Sequence, residues 1–216
     1  MAETEGSVAR TLLFVGAIVV AAAALVTSSY EFSKERIAAN QRARLVASLN
    51  SVLDPAIGNT DLNPILIKAR DELLGSAEPI DVFIIMTAGR PAAAVFAAIA
   101  PDGYNAEIQL LVGVSPDERI TGVRVVRHRE TPGLGDAIEI GKSGWIRQFD
   151  GKSLTDPALP LWAVDRDEGA FDSLTGATVT PRAVVKAVKN TLVYFRAHKD
   201  ELFGAAARTA ADGNEQ

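Results

Sequence analysis

The sequence predicts an α+β protein: a single N-terminal transmembrane helix, then a domain with a mainly antiparallel sheet and packed helices. Three observations predict it. Leu12 to Val26 is an unbroken run of apolar residues and glycine, which Thr11 and Thr27 extend to about the lower limit for a spanning helix. From residue 79 to 127, short β-like segments alternate with turns rich in Gly, Pro and Asp, the pattern of antiparallel neighbours. Val184, Val185, Val188, Leu192 and Phe195 then recur at helical spacing, giving one apolar helix face to lay on that sheet.

Composition narrows the function. A chain of 216 residues fits one principal domain plus an anchor, and 48% apolar residues suffice for a sizeable core. The net charge of -5 argues against nucleic acid as the main partner. With no cysteine, disulfides, thiolate metal sites, iron–sulfur ligation and cysteine nucleophiles are excluded. His128 and His198 are the two histidines, too few for a His-rich metal site. Redox chemistry here would therefore need an organic cofactor.

In chain order, residues 1–10 read as a polar tail and 11–29 as the membrane span. A cleaved signal peptide is the competing reading of the span, but its leading segment carries Glu3 and Glu5 with only Arg10 as a base. Lys34, Arg36, Arg42 and Arg44 follow the span, and the positive-inside rule would keep the main domain in the cytoplasm. Residues 30–78 read as a stalk helix and linker. Leu45, Leu49, Val52 and Leu53 share a stripe within a helix over Phe32–Leu53, Asp54-Pro55 and Asn59 to Pro64 are turn and linker signals, and Ile65 to Leu74 reads as a short helix. Residues 79–203 form the main domain. Its expected strands are Asp81 to Thr87, a run with Ala106, Ile108, Leu110, Val112 and Val114 alternating, and Ile120 to Arg127; alanine-rich Ala92 to Ala100 fits strand or helix and is read as a strand because turn signals bracket it. Residues 204–216, small and polar, read as a disordered tail.

Three stretches carry candidate chemistry. Asp172 to Thr180 reads D-S-L-T-G-A-T-V-T and runs into Pro181 at the start of the last helix. Thr180 suits an N-cap, Pro181 the first helical position, and Gly176 a tight turn. A helix mouth attracts phosphate, although an ordinary capped turn explains the spacing alone. No Gly-Lys-Ser/Thr follows, so this is not a Walker loop. His128 to Gly135 reads H-R-E-T-P-G-L-G, where Pro132, Gly133 and Gly135 force an irregular loop able to bring N–H groups near a ligand. Ser143 to Phe149 reads S-G-W-I-R-Q-F; Trp145 and Phe149 either cover a planar ligand or pack the core. Lys142 and Lys152 either offset a phosphate or solvate the surface.

D-x-x-T-G-A-T resembles the flavinylation motif of the FMN-binding domains of the Rnf and Nqr respiratory complexes. The other two blocks match the same family and occur in its order, and with the anchor the resemblance covers most of the chain. It is nearer to the Rnf type. In that family the threonine after Gly-Ala carries FMN through a phosphoester, which implies Thr178 here. Thr175, Gly176, Ala177 and Thr180 are then cofactor-binding candidates that shape the attachment turn and helix mouth, and Asp172 either stabilises that turn through its side chain or is read by the enzyme that attaches FMN. The resemblance places His128, Glu130, Thr131, Pro132, Gly133, Leu134 and Gly135 along the flavin, with Lys142, Trp145 and Phe149 as further cofactor-binding candidates.

No catalytic residue and no metal is expected. The implied role is an electron-carrier subunit of a complex that couples electron transfer between ferredoxin and NAD to ion transport. Implied partners are the other membrane subunits, including a second covalent-flavin membrane subunit, a separate flavin transferase, and the lipid bilayer, with no nucleic acid. The family orientation puts the domain on the periplasmic side of a bacterial inner membrane, against the local charge count. The alternatives are the corresponding FMN-bearing subunit of a sodium-translocating NADH:quinone reductase and a flavin-free, membrane-anchored assembly module.

Overall fold

The computed structural model describes residues 39–58 and 62–212, with Gly16 and Val20 as isolated positions. The expected span over 11–29 otherwise lies outside the described residues, as does the tail 1–10. Among the described residues no helix is long and apolar enough to cross a membrane. The chain divides into two compact units, Met1–Ala47 and Ser48–Gln216. A helix, α1, covers residues 39–50; of the expected stalk helix, residues 32–38 lie outside the described residues. A single turn of helix follows as α2 (Pro55–Gly58).

Five antiparallel strands form one sheet in sequence order: β1 (Ile65–Ala69), β2 (Ile80–Thr87), β3 (Arg90–Ala100), β4 (Ile108–Val114) and β5 (Ile120–Arg127). Alternation sorts their side chains onto two faces. On one face Val82, Ile84, Ala94, Phe96, Leu110 and Val112 meet α3 (Val179–Asp212), which contributes Val184, Val185, Val188, Leu192 and Phe195. The alanines of β3 let the helix approach closely. Phe96 meets Phe195 edge-on at 6.0 Å, a favoured aromatic geometry.

The opposite face carries Phe83, Ile85, Val95 and Leu111, which are also buried. The chain after α1 lies against this face. Leu49, Val52 and Leu53 are buried, and the Thr121 hydroxyl donates to the Val52 carbonyl at 2.5 Å. Gly113 makes the approach possible, because a Cβ there would sit 2.5 Å from the same carbonyl oxygen.

Two elements differ from expectation. Ile65–Leu74 is not a helix: Ile65 to Ala69 pairs with Ile84 to Ile80 as the edge strand, and a 3-10 turn follows at Glu72–Leu74, capped by Asp71, which accepts from the Leu73 N–H at 2.8 Å. β-branched Ile65 and Ile67 suit the edge of a sheet better than a short helix. The expected linker thus contributes a strand. The expected disordered tail from Gly204 is instead helical through Asp212. Alanine has the best helix propensity, and one glycine costs only about 1 kcal/mol against it; burial of Leu202 and Ala206 fixes the extension.

Between β5 and α3 the chain makes loops and 3-10 turns at Gly135–Ile138, Trp145–Phe149, Leu159–Leu161 and Asp165–Asp167. An aromatic cluster holds them: Trp145, Phe149, Trp162 and Phe171, with ring centroids 4.8 to 6.4 Å apart. This cluster is continuous with the core between sheet and α3, and seats the turn that leads into the helix.

Candidate functional site

Leu174 to Ala177 is a tight turn, closed by the Ala177 N–H donating to the Leu174 carbonyl at 3.2 Å. Gly176 has φ +78°, the left-handed region, and a Cβ there would also press on Leu134 at 2.8 Å. Thr178 then sits immediately before α3, half-buried. Thr180 is not the N-cap. Its buried hydroxyl donates to the Glu130 carboxylate instead, and α3 begins at Val179, two residues before Pro181. The cap position falls to Thr178. Pro181 has no N–H, so the first turn offers the N–H groups of Val179 and Thr180.

A cleft of about 320 Å³ opens here, lined by Glu130, Thr131, Leu134, Gly135, Gly176, Ala177, Thr178 and Thr180, and also by Tyr104 and Val179. The two expected blocks, more than forty positions apart by their numbering, thus face each other across one cavity. A Cβ on Gly135 would sit 2.9 Å from the Thr180 hydroxyl and 3.0 Å from Glu130 Cβ. A separate hollow of about 780 Å³, by Arg70, Asp71 and Pro101, holds none of the motif residues and is more open.

Glu130 organises the cleft. It is 4% exposed, and three donors converge on it: the Thr180 hydroxyl, the Tyr104 N–H at 3.3 Å and the Asn105 N–H at 3.2 Å. That arrangement suits a carboxylate anion. Asn105 Nδ2 also donates to the Arg129 carbonyl at 2.8 Å. The β3–β4 turn is thereby fixed as a wall of the cleft, with the Tyr104 ring 66% exposed. Tyr104 and Val179 are lining residues that the sequence does not reveal: Pro101-Asp102-Gly103 reads only as punctuation, and the exposed ring beside it belongs to no periodic pattern.

Other expected site residues stand behind the cleft. His128 Nδ1 accepts the Glu130 N–H at 3.0 Å, so its proton lies on Nε2, 2.8 Å from Glu139 Oε1. Both ring nitrogens are occupied, and the histidine braces the loop. Pro132 and Gly133 lie exposed at the loop tip, and Thr175 is exposed on its turn. The Asp172 backbone is pinned on both sides: its carbonyl accepts Trp145 Nε1–H at 2.7 Å, and its N–H donates to Gln148 Oε1 at 2.7 Å. Phe149 is fully buried and Trp145 9% exposed, so the pair packs into the core and does not line the cleft.

Three nearby cations are engaged. Lys142 pairs with Asp136 at 3.1 Å; its hydrogen bond holds the Asp136 carboxyl below the usual carboxylate range and raises the lysine in turn. Arg182 grips Asp167 through two hydrogen bonds of 2.6 Å, which lower the Asp167 carboxyl. Lys186 reaches Asp102 at 2.6 Å. Neither lysine nor Arg182 lines the cleft.

A helix mouth with free N–H groups, a hydroxyl at its edge and an adjoining apolar rim of Tyr104, Leu134 and Val179 is a site of the class that can receive an anionic group beside an apolar one. Residues 103–193 match the FMN-binding domain family, a span that contains every lining residue. The relatives narrow the class. The chain is 45% identical over 204 residues to the G subunit of the ion-translocating oxidoreductase complex of Pseudomonas aeruginosa (strain UCBPP-PA14), covering 93% of this chain and 94% of that one. Its identity to the protein of that name from Aliivibrio fischeri (strain ES114) is 41% over 195 residues, 89% and 92% of the two chains. For Vibrio cholerae O395 it is 39% over 178 residues, 82% and 85%. The chain belongs to this family, the G subunits of the Rnf-type ion-translocating oxidoreductase complex.

Proposed function

We propose that this chain is the flavin-carrying electron-transfer subunit of an Rnf-type ion-translocating oxidoreductase, with FMN bound covalently through Thr178. The observation that carries the reading is the position of Thr178: at the edge of a cleft, directly before a long helix, beside the first free N–H groups. The residues present fit the cofactor. The α3 mouth receives the phosphate, and Tyr104, Leu134 and Val179 offer an exposed apolar rim to the ring. FMN, when bound, supplies the one- and two-electron chemistry; the chain fixes its place and electrostatics. Glu130, a negative charge in the cleft, disfavours further negative charge on a reduced ring. Thr175 shapes the turn, while Asp172 orients the stretch of chain leading into it.

Attachment is the work of a separate flavin transferase, and the exposed turn of Thr175 and Gly176 leaves the site open to it. A tethered carrier keeps its cofactor at high effective concentration. Its partners are the other membrane subunits, including a second flavin-bearing one. The span over 11–29 anchors the chain, with the Ser48–Gln216 unit on the periplasmic side. A cytoplasm-only reporter fused after Gln216 should stay inactive; an active one overturns that side.

Thr178→Val keeps the side-chain shape and removes the hydroxyl. Covalent flavin, seen as fluorescence of the denatured band, should vanish while the fold persists. Peptide mass mapping should find the wild-type adduct on Thr178. An adduct on Thr175 or Thr180 contradicts the assignment, and no adduct at all favours a flavin-free assembly module.

A further inference from the structure

The cleft has an unusual charge for a phosphate site. Its one ionisable lining side chain, apart from the Tyr104 phenol, is a buried carboxylate, Glu130, and among the described residues no lysine or arginine lines it. Of the cations on the neighbouring elements, Lys142, Arg182 and Lys186 are each paired with an aspartate, Asp136, Asp167 and Asp102, while Arg129, next to Glu130 in the chain, is exposed and lines a different hollow. Pro181 removes one N–H from the helix mouth, which leaves fewer donors than an ordinary first turn offers. The hydroxyl of Thr180, the other polar group at the mouth, is already given to Glu130.

We propose that Glu130 is a specificity residue for phosphate charge: the cleft accepts a phosphodiester, with one negative charge, and disfavours a phosphate monoester, with two. The inference rests on the flavin reading of Thr178. A threonine-linked FMN is a diester and free FMN a monoester. The cleft thus holds the attached cofactor while rejecting the same molecule from solution, and an unmodified chain is not blocked by free FMN before attachment.

The test uses the full chain carrying Thr178→Val, which cannot be flavinylated. Riboflavin, FMN and the monomethyl ester of FMN are titrated by fluorescence quenching at pH 8, where the monoester is doubly charged because its second pKa is about 6. FMN should bind roughly fivefold or more weakly than its methyl ester. Adding Glu130→Gln should close that gap to within about twofold; the readout is the ratio of the two affinities, so a common change in the cleft cancels, and binding of uncharged riboflavin reports that the variant is folded. Equal or tighter binding of FMN with Glu130 in place overturns the proposal, and this comparison needs no Glu130 variant to fold. A gap that survives Glu130→Gln with riboflavin binding intact also overturns it. So does failure of all three flavins to bind while the wild-type chain carries covalent flavin on Thr178. Failure of all three with no covalent flavin in the wild type overturns the flavin reading itself.

Discussion

At the scale of single residues, the site is built on one buried carboxylate and the groups that satisfy it. Glu130 takes hydrogen bonds from the β3–β4 turn and from the first turn of α3, so it ties two walls of the cleft together. Its own backbone N–H is held by His128, which leans on Glu139. Removing one donor from a buried carboxylate leaves a desolvated charge short of a partner, a loss of about 1–3 kcal/mol. Thr180→Val should therefore lower unfolding free energy by about that amount in urea melts, while covalent flavin on Thr178 is retained. A cost within about 0.5 kcal/mol would mean that the Thr180–Glu130 bond contributes little. The threonines are plain in the sequence, but this bond is not. N-cap preference points to Thr180, because local spacing carries no trace of a partner fifty positions away in the chain.

At the scale of elements, β2, β3, β5 and the early part of α3 are legible in the sequence: β5 and α3 by their apolar pattern, β2 and the alanine-rich β3 by the turn signals that bracket them. β4 is legible as well, though its expected start at Ala106 moves to Ile108. β1 is not: five residues at a sheet edge, two of them exposed, give too short a pattern to outweigh a helical reading. The Trp145 and Phe149 pair is legible as aromatic but not as core, since spacing within a 3-10 turn does not say which way the rings face. Burial of both in the core does. The contact of the Val52 backbone with β4 is equally invisible, because it depends on Gly113 having no side chain. Gly113→Val would force a Cβ against the Thr121 hydroxyl and to within 2.5 Å of the Val52 carbonyl oxygen. Overpacking of this kind costs about 1–3 kcal/mol. Gly113→Val should lower the urea midpoint accordingly, and a variant as stable as the wild type would show that the Val52 segment is not held on the sheet.

At the scale of the whole molecule, the question is where the folded unit starts. Sequence pattern alone starts the domain at residue 79, after a stalk and linker. The structure puts Leu49, Val52, Leu53 and Leu62 among the buried residues and adds β1 to the sheet. A chain beginning at residue 79 would lose an edge strand and the segment around Val52 that lies on the face carrying Phe83, Ile85, Val95 and Leu111. Exposing four such side chains forfeits roughly 1.5–3 kcal/mol each for the large ones, which rivals the roughly 5–15 kcal/mol that holds a typical domain together. β2 would become the edge, and its apolar face would invite association. A chain beginning at Ser48 keeps all of these contacts and starts at the boundary of the compact unit. Residues 48–216 should be soluble, unfold cooperatively in urea and bind no hydrophobic dye. Residues 79–216 should aggregate or bind dye strongly and lack a cooperative transition. Equal stability of the two fragments would show that residues 48–78 are a true linker, and that the apolar face they cover can stand in water without them.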